Sequence, residues 1–221
     1  MNDFLGILFC GGRGRRLGEI TKYISKAFVP VFDRPVFRYP LAQLEASQRV
    51  AEILVLSNDE NDQKLRQTGH RTLVQDDRRV RDMFTGLAFI REVTGDERPA
   101  VLMPCDNISE ICVDDVISVF LDEAADIAIN VRKIDDRDKL REMGVFDPKT
   151  GQMEYRPKNP KTDWGVLAPY VVATGLDLSA EMPEVLRLHR SVWREYDGVW
   201  FDVGDVGQLA AANAWGNGVE S

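Results

Sequence analysis

Apolar residues in this chain come in two rhythms. Short, nearly unbroken apolar runs recur at residues 5–10, 52–57, 72–75, 100–103 and 126–133. Runs of that length, without polar alternation, are the pattern of strands buried on both faces of a parallel sheet. Between them the apolar spacing lengthens to that of helices. Val36, Phe37, Leu41 and Leu44 share one face of a helix over 35–47, with Asp33 as its N-cap and Pro35 in its first turn. A polar helix is expected over 58–67. Val80, Met83, Phe84, Leu87 and Ile90 mark an amphipathic helix over 79–93, and a further helix follows at 113–124. Up to about residue 134 the order is strand-helix four times over, ending on a fifth strand, which predicts a parallel sheet covered by helices on both faces. Beyond it the character changes. Residues 144–151 read as a hairpin, 164–174 as a long apolar strand, 179–189 as a helix, 199–201 as a last short strand and 205–215 as a closing helix. The expected architecture is a three-layer α/β/α sandwich with a mostly parallel, mixed sheet, in one domain over 1–221.

Composition narrows the functions open to such a fold. With 221 residues and 44% hydrophobic content the chain can bury one sizeable core. No linker, repeat or low-complexity stretch divides it. A net charge of −8, from 36 acidic against 28 basic residues, argues against a general nucleic-acid binder. No apolar run approaches the roughly 18–20 residues of a membrane span, and the N-terminus has no signal-peptide pattern. The expectation is therefore a protein with neither nucleic-acid nor membrane partners. Cys10, Cys105 and Cys112 match no zinc spacing and read as reduced thiols of a cytoplasmic protein. Only His70 and His189 are present, so histidine-based metal sites and Ser-His-Asp catalysis are poorly supplied.

Against this acidic background one stretch stands apart. The run 5–10 empties into Gly11-Gly12-Arg13-Gly14, and Arg13, Arg15, Arg16, Lys22 and Lys26 follow closely. Glycines there let backbone amides approach a ligand, and a local cationic loop on an acidic chain asks for a polyanion such as phosphate. Two common phosphate loops fail on spacing. A Walker A loop needs Gly-Lys followed by Ser or Thr, and the chain has no Gly-Lys pair. A dinucleotide fingerprint counted from Gly12 needs a third glycine where Leu17 stands.

The arrangement that does fit is Gly-Gly-x-Gly-x-Arg-Leu, eight residues, Lys, then a nearby Pro: Gly11, Gly12, Gly14, Arg16, Leu17, Lys26 and Pro30. It resembles the signature loop of the sugar-phosphate nucleotidyltransferases, glucose-1-phosphate thymidylyltransferases in particular, and the likeness continues through Tyr39-Pro40-Leu41. Downstream, Leu102 to Asn107 is similar to the family strand that ends in a metal-binding aspartate, here Asp106. Trp200-Phe201-Asp202-Val203-Gly204 is similar to a Trp-x-Asp-x-Gly that supplies a second, Asp202. The resemblance implies the nucleotide-diphospho-sugar transferase fold, with residues 1–134 as the nucleotide-binding half and 135–221 as the acceptor-binding half. It further implies Mg2+ on Asp106 and Asp202, catalytic Arg16 and Lys26, and a triphosphate held by Gly11, Gly12, Arg13 and Gly14. The substrates would be a nucleoside triphosphate and a phosphorylated acceptor, with a sugar 1-phosphate leading. A homodimer is left open as the assembly. Gln75 stands where relatives place an amide that reads the base, and an amide supplies the donor and acceptor that a pyrimidine edge needs.

Three departures from the family pattern bear on the substrates. After Gln75 the chain continues through the charged run Asp76 to Asp82. Glu154-Tyr155-Arg156-Pro157 replaces the family's Glu-Glu-Lys-Pro, which leaves Arg156 to hold the acceptor phosphate, Lys158 as a second cation and Tyr155 in the place of a hydroxyl acceptor. The segment from the long strand to Asp202 is also short. A pruned acceptor side points to an alternative acceptor, a phosphorylated alcohol or amine of the kind phosphocholine cytidylyltransferases use. A reading of another class is a non-catalytic nucleotide-binding or scaffold domain.

Overall fold

The computed structural model of the protein describes residues 3–219. Strand β1 (Phe4–Phe9) runs into the glycine loop, which turns through 3-10 segments at Arg15–Lys22 and Lys26–Phe28. A small hairpin of β2 (Pro30–Val31) and β3 (Arg34–Pro35) leads to α1 (Arg38–Ala46). Then come β4 (Val50–Ser57), α2 (Asp59–Leu65), β5 (Arg71–Val74), α3 (Met83–Thr94), β6 (Ala100–Pro104), β7 (Asn107–Ser109) and α4 (Val113–Asp122). The later part comprises β8 (Ile127–Lys133), α5 (Arg137–Leu140), β9 (Gly144–Asp147), β10 (Gln152–Tyr155), β11 (Trp164–Val172), α6 (Met182–Leu188), β12 (Ser191–Glu195), β13 (Trp200–Asp202) and α7 (Val206–Val219).

The main sheet runs β10-β9-β11-β6-β1-β4-β5, with β8 along the other side of β11 and β12 beyond it. Strands β6, β1, β4 and β5 are parallel neighbours. β11 is antiparallel to β6, β8 and β9, so it is the strand that makes the sheet mixed. The hairpin expected after residue 144 is β9–β10, and it joins the main sheet through β11.

Parity along β1 gives the layers. Side chains alternate faces along a strand. A Cβ at Gly6 would meet Leu44 of α1, whereas Phe9 lies against Gly86 of α3. Positions 6 and 9 differ in parity, so α1 and α3 cover opposite faces. Phe4 shares the parity of Gly6 and meets Phe120 of α4 edge-on at 6.0 Å, which places α4 with α1. Covered on both faces, β1 is buried at every position but its last, as its unbroken apolar run requires.

Several elements differ from expectation, each for a local reason. Helix α1 begins at Arg38, because residues 30–35 pair with each other as β2 and β3; Asp33 caps nothing and Pro35 closes that hairpin. Helix α3 begins at Met83 rather than 79. Asp82 accepts the Thr85 amide, the Thr85 hydroxyl returns the bond, and this capping box fixes the start. The second Asp82 oxygen accepts the Met182 amide at 2.8 Å, so the same cap ties α6 to α3. β7, α5 and β12 have three to five residues each and were not expected from the sequence. Cys10 and Cys105 are buried free thiols and Cys112 is an exposed one. No helix of the described residues is long and apolar enough to cross a membrane.

Candidate functional site

Strand ends position the reactive groups. β1 and β6 are parallel neighbours in register Phe9↔Pro104, so the glycine loop and Asp106 leave the sheet side by side. β13 then pairs with β7 through Asp202↔Asn107, and the Val203 amide donates to the Asp106 carbonyl at 2.9 Å. Two aspartates nearly a hundred residues apart in sequence are thereby set together at the mouth of the loop.

Gly14 at the loop takes φ of +62°, a left-handed conformation that places it over Lys26. The Lys26 ammonium turns inward and bonds Asp106, with both side chains largely buried. Burial works to release the Lys26 proton, but the neighbouring Asp106, Cys105 and Asp202 outweigh it and raise its pKa. Burial likewise opposes the charge on Asp106, yet Lys26 and hydrogen bonding hold its pKa below the usual range. Asp202 goes the other way. Burial and the adjacent Asp106 charge push its carboxyl up to about 7, with Lys26 and Arg16 only partly compensating. Arg16 reaches the same centre. Its guanidinium bonds Glu142, stands 3.9 Å from Asp202, and packs over Gly204, where a Cβ would lie 2.6 Å from it.

Two crowded carboxylates, with too little positive charge beside them to offset burial and mutual repulsion, form a hard-oxygen pair. Such a pair suits Mg2+, which binds one or two carboxylates and takes its other oxygens from water and substrate phosphates. The donor set therefore fits the metal that the sequence implies. Among the described residues no group of three or more His, Cys, Asp or Glu side chains forms a protein-only cage.

A cleft of about 410 Å³ opens beside this centre, lined by Gly14, Arg15, Arg16, Lys26, Arg141, Arg156, Glu142 and Gly204. Five cations against one carboxylate make it a polyphosphate-sized electropositive recess. Arg16 and Glu142 also wall a smaller chamber of about 180 Å³, in which Asp136, Asp138, Asp202 and Asp205 outnumber Lys139. Lys139 lies 4.3 Å over the Trp200 ring, and burial lowers its pKa despite Asp202 and Asp205 nearby. On the far side of the loop a recess of about 290 Å³ is lined by Arg13, Asn58, Asp59, Glu60, Gln75, Asp76 and Asp77.

The structure thus gathers Gly14, Arg16, Lys26, Asp106 and Asp202 into one centre, with Arg156 on the rim of the cationic cleft. Arg156 adopts φ of +49°, stacks over Tyr155 at 5.0 Å and donates to the Glu142 carbonyl. Gln75 stands at the separate recess with Arg13, packed so closely on Gly11 that a Cβ there would overlap its amide. A Cβ at Gly12 would meet nothing within 4 Å. Lys158 does not join Arg156 in lining the cleft. Its side chain is exposed, and its carbonyl accepts from Arg141 at 3.1 Å. Glu142, Lys139 and Asp77 were not singled out from the sequence. Glu142 and Lys139 sit on or beside a four-residue helix too short to show a period, and the only local signal was Asp136, which caps it.

Comparisons with known proteins bear on the family and the fold. Residues 6–194 match the MobA-like NTP transferase domain. A glucose-1-phosphate thymidylyltransferase of Actinoplanes sp. is 46% identical over 54 residues, covering 24% of this chain and 18% of that protein. A Thermococcus kodakarensis protein named a probable molybdenum cofactor guanylyltransferase is 32% identical over 72 residues, 33% of each chain. These matches span a third or less of the curated relatives' lengths. A solved Bacillus anthracis structure, assigned as a glucose-1-phosphate thymidylyltransferase and in complex with sucrose, superposes with a TM-score of 0.81. It is 21% identical, covers 96% of this chain and 95% of its own, and shares the nucleotide-diphospho-sugar transferase fold.

Proposed function

The chain belongs to the MobA-like NTP transferase domain family, and from that premise we propose that it is a nucleotidyltransferase acting on a phosphorylated acceptor. A phosphate oxygen of the acceptor, a sugar 1-phosphate in the leading reading, attacks the α-phosphorus of a nucleoside triphosphate. The bond from that phosphorus to the bridging oxygen breaks, and pyrophosphate leaves with the electron pair. The observation that carries this reading is the buried Lys26–Asp106 pair with Asp202 and Arg16 beside it at the mouth of the glycine loop.

Both reactants are anions, so the residues serve to suppress repulsion and to hold charge as it spreads over the transferring group. Backbone amides of Gly11 to Gly14 cradle the triphosphate. Lys26 presents a point charge at the α-phosphate, and Arg16 a planar fork for the leaving pyrophosphate. Arg156 and Arg141 on the cleft rim face the acceptor phosphate. Asp106 and Asp202 would hold Mg2+, which supplies charge neutralisation and polarises the α-phosphate. No protein nucleophile or base is called for, in keeping with a chain of two histidines.

One observation favours a second acceptor class. The small chamber next to the cationic cleft carries Asp136, Asp138 and Asp205, which suits a cationic head on a phosphorylated amine. The test is a Mg2+-dependent pyrophosphate-release screen of nucleoside triphosphates against hexose 1-phosphates and phosphorylated amines. Release with a hexose 1-phosphate supports the leading reading, and release with an amine alone selects the second. No release with any pair, joined to no thermal stabilisation by nucleotide, returns the scaffold reading.

A further inference from the structure

One carboxylate stands in the wall of the cationic cleft. Among the residues that line it Glu142 alone is acidic, and its partner is Arg16. One terminal nitrogen of the Arg16 guanidinium bonds Glu142, and the other stands 3.9 Å from Asp202. Both prongs of the fork are turned to carboxylates, so a phosphate that takes Arg16 end-on must first displace Glu142. That exchange is easy. The side chains of Arg16 and Glu142 are 41% and 54% exposed, against 13% and 12% for Lys26 and Asp106. Glu142 nevertheless stays within reach. Its amide donates to the Lys139 carbonyl at 3.0 Å and its carbonyl accepts from Arg156 at 3.2 Å, which fixes its main chain and leaves its carboxylate free to swing. Away from Arg16 it meets the chamber of Asp136, Asp138 and Asp205, where Lys139 is stacked on Trp200. Repulsion there favours its return.

We propose that Glu142 is a positioning residue that competes with phosphate for Arg16, holding the guanidinium in the free protein and drawing it back from pyrophosphate after transfer. The inference rests on the nucleotidyltransferase reading above, in which Arg16 serves the leaving group. A tethered competitor acts at a high local concentration, so it returns whenever a phosphate lets go. An arriving triphosphate makes several contacts at once, with the glycine-loop amides and Lys26 as well as Arg16, and together these displace one weak pair. Once the bond at the α-phosphorus has broken, pyrophosphate no longer shares the anchorage of the nucleoside. It must then hold Arg16 against Glu142 unaided, which favours its departure. Glu142 makes no bond to the reacting atoms and moves no proton.

Titration calorimetry of the whole chain with Mg2+ and inorganic pyrophosphate tests this, on the natural protein, Glu142→Gln, Arg16→Ala and the double variant. An exposed ion pair shifts an equilibrium by up to about fivefold, so Glu142→Gln should bind pyrophosphate about two- to fivefold tighter. Product inhibition by pyrophosphate should deepen by the same factor, and the gain should shrink at high salt. With Arg16→Ala in place, where Lys26, Arg15, Arg141 and Arg156 still line the cleft, Glu142→Gln should change the affinity by less than about 1.5-fold. The melting temperature of ligand-free Glu142→Gln should not move, because the pair is exposed. Unchanged or weaker pyrophosphate binding by Glu142→Gln overturns the proposal. So does an equal gain on the Arg16→Ala background, which would make Glu142 a general repulsive charge. If nucleoside triphosphates bind the natural chain and Glu142→Gln gains nothing, the competitor role alone fails. If neither pyrophosphate nor any triphosphate binds, the nucleotidyltransferase reading fails with it.

Discussion

The two ends of the active face are built to different standards. At the nucleotide end the charged groups stand on strand ends: Lys26 and Asp106 are largely buried, Asp202 is fixed by β13–β7 pairing, and Gly11 is packed onto Gln75. At the acceptor end they stand on α5 and the β9–β10 hairpin, in exposed pairs such as Arg141–Asp138 and Lys161–Glu154. Exposed ion pairs contribute little and are readily exchanged, whereas a buried charge that loses its partner is costly. On the proposed reading, the bond-making apparatus is thus preorganised and hard to alter, while the groups assigned to the acceptor can change without disturbing the fold.

Four changes would break or sharpen that contrast, from the largest effect to the smallest. Lys26→Ala removes a preorganised cation and should cost about 3 kcal/mol of transition-state stabilisation, more than a hundredfold in kcat/KM by pyrophosphate release. It also leaves Asp106 buried and unpaired, so the melting temperature should fall; an unchanged melt would contradict the burial argument. Arg156→Ala should raise the acceptor KM about tenfold and leave nucleotide affinity alone, as expected of a rim cation assigned to the acceptor phosphate. A loss of nucleotide affinity would move Arg156 to the other end.

The third concerns pH. Asp202 keeps its proton in the folded protein up to about pH 7, against about 3.9 in an unfolded chain. Between those values the folded state binds the extra proton, so this contribution to stability is full below the unfolded value and is lost as pH rises through 7. EDTA-treated protein should therefore melt several degrees lower at pH 8 than at pH 5. Asp202→Asn should flatten that slope while abolishing transfer, and Mg2+ should restore the natural chain at pH 8. A slope that persists in Asp202→Asn would place its origin elsewhere. The smallest effect is Lys158→Ala, which should leave the acceptor KM within about twofold, because Lys158 is exposed and does not line the cleft with Arg156.

How much of this was legible from the chain follows the same division. Apolar runs located β1, β4, β5, β6, β8 and β11, since a strand buried on both faces writes itself as an unbroken run. The glycine loop, Lys26, Asp106 and Asp202 were legible as spaced motifs, and the fold brings the loop's Gly14 and Arg16 together with those three. Elements of three to five residues carry no period, so β7, β12 and α5 were missed, and with α5 went Glu142 and Lys139. Helix α3 was begun too early because Val80 fits its apolar face, although the Asp82–Thr85 capping box decides the start. Asp77 looked like one charge in a solvated run. Its pairing with Arg13 reaches across to the glycine loop, a contact spanning 64 residues that spacing cannot show.

The central claim is that the loop end directs attack at the α-phosphorus, and isotope position tests it most directly. The protein is given Mg2+, an accepted phosphate ester and nucleoside triphosphate labelled either at the α- or at the γ-phosphorus. The account predicts that α-label appears in a nucleotide-linked product, that γ-label appears in pyrophosphate, and that Asp106→Asn abolishes both. Label from the γ-position in the acceptor, or in free orthophosphate with a nucleoside diphosphate left behind, would contradict it.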